Sequence, residues 1–229
     1  MKKIKPIITC LLSVLFTTAL FAQNEETRSL SSFSSVSVGE SIELILVPGN
    51  KEEAIVQVDG KDPEIVITET SGERLKIRMA KGSWRNVNAK VRLTYVKIDD
   101  LSVSSSADVF SEGAIRSGDF DLEVSSSGFA KLELDVSSLD VEISSSGKAE
   151  LSGKTGSQDA EVSSSGKLYA FDLVCDDLDI EVNSSGKAEV HVTKSMDAEA
   201  NSSGKVTYKG NPKMVAIDTN SSGKVSKSN

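Results

Sequence analysis

Seven copies of one short phrase constrain what this chain can fold into: SVSSSADV, EVSSSGFA, EISSSGKA, EVSSSGKL, EVNSSGKA, EANSSGKV and DTNSSGKV. Each alternates polar and apolar residues, then carries a polar triplet, a glycine (alanine in the first copy) and, in five copies, a lysine. The landmarks are Ala107, Gly128, Gly147, Gly166, Gly186, Gly204 and Gly223, so the successive spacings are 21, 19, 19, 20, 18 and 19. Self-similarity at a period near 20 marks a solenoid, in which each repeat is one coil stacked on the last.

Aligning the copies on the landmark gives columns. Six residues before it stand Leu101, Leu122, Val141, Ala160, Ile180, Ala198 and Ile217. Four before it stand Val103, Val124, Ile143, Val162, Val182, Ala200 and Thr219, and two after it Val109, Ala130, Ala149, Leu168, Ala188, Val206 and Val225. Side chains two apart share one face of a strand, so these columns are expected to point inward and the charged columns between them outward. Each coil then has a strand on either side of an SSG corner. Nineteen residues at about 3.3 Å each give a perimeter of roughly 63 Å, which suits a tube filled by side chains. Equivalent strands recur in one direction, and parallel crossovers are strongly right-handed. The expected fold is all-β, a right-handed parallel β-helix with coils of about 19 residues. A two-sheet antiparallel sandwich is the alternative, but it has no need to repeat Ser, Gly and Lys at the same points.

The rest of the chain divides around the repeat. Residues 1–22 read as a signal peptide: Lys2, Lys3 and Lys5 form a basic start, Ile7 to Phe21 is mostly apolar, and Ala22 offers a small residue for cleavage before Gln23. Cys10 lies near the start of the apolar run instead of after it, which argues against lipid attachment. Residues 23–32 read as a flexible leader. Residues 33–229 read as a single solenoid domain, with a strand-rich opening segment at 33–100 and the SSG coils at 101–229. In the opening segment Ile42, Leu44 and Leu46, then Ala54, Val56 and Val58, then Leu75, Ile77 and Met79, then Val91, Leu93 and Tyr95 alternate between turns rich in Gly, Pro, Asn and Asp. No apolar run is long enough to predict a membrane span in the mature chain.

The formal charge is −8, and removing three lysines with the signal makes it −11. An acidic surface argues against nucleic acid and against anionic membrane. Two acidic columns account for much of it. Seven before the landmark stand Asp100, Asp121, Asp140, Asp159, Asp179 and Asp197, with Ala216 breaking the run; five before it stand Ser102, Glu123, Glu142, Glu161, Glu181, Glu199 and Asp218. At a rung spacing of about 4.8 Å, each like-charged neighbour costs roughly 0.9 kcal/mol at water's dielectric constant before salt screening. The lysines one after the glycine (Lys148, Lys167, Lys187, Lys205, Lys224) offset part of this from around the corner. One reading is a solvated face that resists edge aggregation. The other is a site for a divalent cation such as calcium between rungs, with Asp121, Glu123, Asp140, Glu142, Asp159, Glu161, Asp179 and Glu181 as the metal candidates, because hard cations take several oxygens. No cofactor-binding motif is present.

The corner triplet starts with Ser104, Ser125, Ser144 and Ser163, then switches to Asn183, Asn201 and Asn220, and its middle member is serine in every copy. Stacked hydroxyls or amides are expected to bond along the tube, with glycine supplying a positive φ. No catalytic residue is assigned: seven equivalent serines and a single histidine, His191, do not supply a nucleophile with its base. Cys175 reads as a small buried hydrophobe, Trp84 with Arg85 as a cap or packing group, and Phe110, Phe129, Tyr169 and Tyr208 as rings that cover the tube near its corners.

The stretch FSSVSVGESIELILVPGNKEEAIVQVDG, then RLKIRMAKGSWRNVNAKVRLTYVKIDDLSVSSSADV and the SSSG coils after it, resembles the autotransporter-adhesin head GIN domain family of secreted bacterial proteins (DUF2807). The resemblance implies a β-helical fold, an envelope location and an adhesin-like role, and it carries over no catalytic residue. The expected function is a non-catalytic secreted or envelope solenoid, in the periplasm, on the outer surface or outside the cell. Its expected partner is a surface glycan or an envelope protein, bound by many weak contacts along a repetitive face. A carbohydrate-active enzyme is the alternative, and it would need a local carboxylate pair that breaks the repeat. A self-stacking structural protein, associating as a homo-oligomer through its coil ends, is the third reading.

Overall fold

The structure is a computed structural model that describes residues 24–84 and 87–228. The expected signal peptide and Arg85 lie outside the described residues. The opening segment contributes β1 (Asn24–Ser29), β2 (Ser35–Val38), β3 (Ile42–Pro48), β4 (Glu53–Val58), β5 (Val66–Ser71), β6 (Arg74–Met79) and β7 (Ala89–Tyr95), with one 3-10 turn at Pro63–Ile65. The coils contribute β8 (Asp100–Val103), β9 (Asp108–Val124), β10 (Phe129–Ile143), β11 (Lys148–Val162), β12 (Lys167–Val182), β13 (Lys187–Ala200), β14 (Lys205–Lys209), β15 (Met214–Thr219) and β16 (Lys224–Lys227). No α-helix occurs among the described residues.

The coils stack in parallel and in the register of the sequence repeat, as a β-solenoid. Val141 lies opposite Leu122 on one side and Ala160 on the other, and Ala160, Ile180 and Ala198 continue the column. All of these are buried, as are Val124, Ile143, Val162, Val182 and Ala200 beside them. Strands β9 to β13 run from one SSG corner to the next; Leu139, Gln158, Leu178 and Met196 form a further inward column along them. The alternation of small and large residues down a column is what lets neighbouring coils fill one core without a void.

The corners hold a surprise for the sequence reading. The glycine at the end of each triplet is not the residue with positive φ. The two residues before it are: Ser145 has φ 48 and Ser146 φ 65, and the same pair of values recurs at all seven corners. The N–H of Gly147 donates to the carbonyl of Ser144 (2.7 Å), closing a type I′ turn whose two central positions are both left-handed serines. Left-handed backbone costs a residue with a Cβ roughly 1–2 kcal/mol. Neighbouring corners help to hold it. The N–H of Ser146 donates to the carbonyl of Ser164 in the next coil (3.2 Å), and Ser127, Ser165, Ser185 and Ser203 repeat the bond. The ladder along the corners therefore runs through backbone amides, not through the expected serine hydroxyls. Glycine is required for another reason. A Cβ on Gly147 would stand 2.3 Å from the carbonyl oxygen of Val124 in the coil before, and one on Gly166 2.6 Å from that of Ile143. Each glycine lets two coils approach closely at the bend.

The opening segment contains a coil that the sequence repeat does not announce. In SVSVGESI, Glu40 (φ 62) and Ser41 (φ 59) occupy the left-handed pair, and the N–H of Ser41 donates to the carbonyl of Ser105 (3.0 Å) as the later corners do. Val38 lies opposite Val103 and Leu44 opposite Val109, so β2 and β3 form the coil stacked on β8 and β9. The next coil is β6 and β7, which pair in parallel with β2 and β3. The chain then closes this end with antiparallel strands: β5 on β6, β4 on β7, and β1 on β4. The expected flexible leader is thus largely an edge strand, β1, held over its six residues by β4. Arg28 on β1 ties the two sides of the cap together. Its guanidinium donates to the carbonyls of Val66 (2.6 Å) and Pro63 (3.0 Å) and pairs with Glu26 (2.6 Å).

The other end has no such cover. The inward columns run out into solvent, where Ile217 is 49% and Val215 45% exposed, although Ala198 and Met196 beneath them are at most 2% exposed. Ile217 and Thr219, expected in the core from their columns, are exposed. They occupy the right register, but no further coil covers them.

Candidate functional site

Register turns the two acidic columns into one continuous face. Asp100, Asp121, Asp140, Asp159, Asp179 and Asp197 lie opposite one another from coil to coil, and so do Ser102, Glu123, Glu142, Glu161, Glu181 and Glu199. All eight of the metal candidates named from sequence are on this face. Its first rung is cationic: β6 lies beyond β2 with Arg74 and Lys76 in the same columns, and Arg74 reaches Asp100 (3.2 Å) and Ser35 (3.0 Å). The next rung holds Ser35 and Ser37, and beyond Asp100 and Ser102 carboxylates face carboxylates. Burial, and then the charges of Asp140 and Asp100, raise the Asp121 carboxyl above the ordinary aspartate value. Burial, followed by Asp159, Asp197 and Glu181, does the same to Asp179. The change from serine to asparagine at the later corners serves this face, because the amide of Asn183 donates to Glu181 (2.5 Å) and that of Asn201 to Glu199 (2.6 Å).

Two shallow grooves open on the same side. One, of about 580 Å³, brings Arg74 and Lys97 together with Asp99, Asp100, Asp119 and Asp121. The other, of about 720 Å³, sets Asp159, Asp179 and Asp197 beside Met196, Met214 and Val215 at the open end. Among the described residues, no group of three or more His, Cys, Asp or Glu side chains is arranged to hold a metal ion. The carboxylates are spread along the rungs; they do not converge on a point.

Around the corner, the outer face carries rings and lysines. Phe110 and Phe129 meet edge to face with centroids 5.8 Å apart. The Lys148 ammonium lies over Phe129 (4.9 Å) and Tyr169 (5.2 Å), and Lys187 lies over Tyr169 (5.3 Å). Lys148 also pairs with Glu150 (2.6 Å) and Lys187 with Glu189 (2.5 Å), so burial is outweighed and Glu150 is held below the usual carboxylate range by Lys148. Lys148 and Lys187 therefore spend their charge on their own face instead of on the acidic one. Sequence alignment located the rings and the lysines, but not Glu150 and Glu189, which pair with Lys148 and Lys187.

The singletons have structural roles. The Trp84 indole donates to the carbonyl of Ala80 (2.6 Å) and packs on the core at the corner between β6 and β7. Cys175 is buried, with burial pushing its thiol up to about 12, and its Sγ donates to the carbonyl of Asp177. His191 lies on the outer side between Val174 and Lys209 of the neighbouring coils.

This geometry defines a class: a β-solenoid whose outer faces present the same side chains rung after rung, acidic on one side and mixed aromatic and basic on the other. The chain belongs to the DUF2807 family, described as putative auto-transporter adhesin, head GIN domain, which matches it over residues 32–212. No curated protein sequence matches it significantly. Crystal structures of similar fold include a putative adhesin from Bacteroides fragilis (TM-score 0.79, 18% identity, covering 89% of this chain and 96% of that one). A putative adhesin from Parabacteroides merdae has a TM-score of 0.74 at 14% identity, over 90% of this chain and 95% of its own. A putative lipid binding protein from Parabacteroides distasonis has a TM-score of 0.70 at 22% identity, over 90% of this chain and 97% of its own. At these identities the likeness is one of fold. No helix among the described residues is long and apolar enough to cross a membrane.

Proposed function

We propose that the protein is an exported, non-catalytic adhesin-like solenoid that holds a surface glycan or envelope protein along its acidic face. The observation that carries this reading is the register of the carboxylates. A polymer bearing cationic groups at a comparable repeat meets the same pair of acids on each rung, so contacts that are weak singly add through avidity. A rigid tube also loses little conformational freedom on binding. The non-catalytic reading is supported by the acids following the repeat instead of gathering in one pocket, and by Cys175 being buried with its thiol pushed up to about 12. Residues 1–22 supply the export signal in this reading, and the exported protein is expected to begin at Gln23.

The test is binding of the full chain to cells, extracted envelope glycans and envelope proteins. The triple substitution Asp140→Asn, Asp159→Asn, Asp179→Asn is compared with it. Binding that falls with salt and is lost in the triple variant, while the circular dichroism spectrum is kept, supports the proposal. Binding that the triple variant retains in full, or an absence of binding to all three, overturns it.

A further inference from the structure

We infer that the uncapped end of the tube is an interface for a second copy of this chain, docked end to end through antiparallel pairing of β15 with the partner's β15. Strand β15 pairs only with β13 along one edge, and its other edge is open. Met214 is 67%, Val215 45% and Ile217 49% exposed, three of the five large hydrophobic residues that are exposed among those described. An open edge that is also apolar is a template for another strand.

The occupant follows from the register. In an antiparallel pair, directly opposed side chains lie on the same face. Val215 and Ile217 are the inward residues of β15, continuing the columns of Met196 and Ala198. A two-fold axis through residue 216 sets Val215 opposite the partner's Ile217, and Ile217 opposite the partner's Val215, so two open cores become one. The residue on that axis meets its own copy. In the six preceding coils its column is aspartate, which would oppose aspartate across the axis; here alone it is Ala216. The departure from the repeat removes the one like-charge contact that would forbid the pairing. The last coil is itself net positive, so like charge opposes the pairing weakly and added salt should tighten it. Residues 210–229 hold Lys213, Lys224, Lys227 and Asp218, three positive charges against one negative, in a chain of net −8.

The opposite end does not fit as the mate. There the tube is closed by the antiparallel strands β1 and β5, whose edges carry Glu25, Glu26 and Thr27 and Thr68, Glu69 and Thr70, and Arg28 locks them together. A head-to-tail stack would set Val215 and Ile217 against these polar edges. The β16 edge, with Lys224 and Lys227, is blunted by its charges, so the contact is centred on β15. Such a short edge is at the small end of specific interfaces, and a dissociation constant on the order of 10 µM is expected.

The experiment is sedimentation equilibrium of the full chain from about 1 µM to 1 mM without any added ligand, with the variants Ala216→Asp and Ile217→Lys. Ala216→Asp restores the residue that six other coils tolerate, so it leaves the fold intact while opposing two carboxylates at the axis. The expected result is a reversible dimer that each substitution weakens by about tenfold or more, and that Asp140→Asn in mid-tube leaves unchanged. A monomer at every concentration overturns the inference, and so does a dimer that Ala216→Asp leaves intact. Because no binding partner is added, either result stands apart from the outcome of the adhesion test.

Discussion

Alanine at two neighbouring corners should have unequal effects, although the sequence around them is almost the same. A Cβ on Gly128 would stand 2.9 Å from the carbonyl oxygen of Val103, and one on Gly147 2.3 Å from that of Val124 and 2.8 Å from its carbonyl carbon. Ordinary contact begins at about 3.4 Å. At Gly128 the coils must part by about half an ångström; at Gly147 they must part by about one. The Val124 oxygen accepts the N–H of Ser144 (3.0 Å), as the Val103 oxygen accepts that of Ser125 (2.9 Å), so what separates the two sites is how far that oxygen must move. Moving it leaves a buried pair poorly made, about 1–3 kcal/mol, with overpacking of a similar size added. Loss of glycine's freedom in the unfolded chain returns about 0.4–1 kcal/mol in both variants. The expectation is Gly147→Ala destabilised by about 3–4 kcal/mol and Gly128→Ala by about 1 kcal/mol or less. For a chain of this size that corresponds to Tm losses of roughly 6–16 °C and under about 4 °C. Urea unfolding followed by circular dichroism measures both, with the m-value as a check that the transition is unchanged. Ala107, the natural alanine at the first corner, shows that a methyl can be buried there where the neighbouring coil allows it. Equal losses in the two variants would refute the close-approach argument.

Other consequences can be checked in the same assay. Ser145→Asn with Ser146→Gly places the preferred type I′ pair at φ 48 and 65, and should stabilise by about 1 kcal/mol, because both side chains are exposed and only the backbone changes. Asp121 and Asp179 have raised carboxyl pKa values in the folded state, so their contribution is fully present below the unfolded aspartate value and is lost as pH rises through the folded one. Acidifying from neutral pH toward the unfolded aspartate value of 3.8 should therefore raise stability relative to the Asp121→Asn/Asp179→Asn variant, which at pH 7 and low salt should exceed the parent by roughly 0.5–1 kcal/mol, the gap closing with acid or salt. Glu150, held low by Lys148, works in the opposite sense, but it is only half-buried and contributes little. Calcium should shift Tm no more than magnesium at the same ionic strength; a saturable shift specific to calcium would establish a site between rungs. The Cys175 thiol, pushed up to about 12, should resist alkylation at pH 8 until the tube unfolds, and mass spectrometry of its peptide would show this.

The repeat region was legible because a solenoid writes its register into its sequence. Once Gly128, Gly147 and Gly166 were aligned, the inward columns and the acidic face followed from strand periodicity alone. The opening segment was less legible for a physical reason. Its coil SVSVGESI keeps the alternation but has glycine where the others have the first serine, and glutamate where they have the second, so no phrase repeats. Its place in the stack, between β6–β7 and β8–β9, depends on pairing between segments more than 35 residues apart in the case of β2 and β6. Strand β1 was unreadable as a strand because NEETRS has no apolar face; it is held by hydrogen bonds to β4 and by Arg28. Glycine at the close of a turn suggested positive φ, whereas the strain lies in the serines. Turn type depends on how two coils meet, which a single repeat does not encode.

The two ends of the tube explain why strain in the middle is tolerable. In a solenoid each coil touches only its neighbours, so stability is a sum of coil terms and interface terms. Fifteen left-handed serines and Glu40 raise the first kind, and the corner amide ladder together with the buried columns offsets it through the second. A coil at an end has one interface instead of two. At the β1–β5 end the antiparallel cap supplies the missing one. The last coil, β15 to β16, has the same strained corner at Ser221 and Ser222 and nothing above it, so it is the first to fray. Whatever covers β15 adds the interface term that this coil lacks and slows fraying through every coil beneath it. Pairing at the open end is therefore coupled to the rigidity of the acidic face, even though the two surfaces share no residue of the mid-tube ladder.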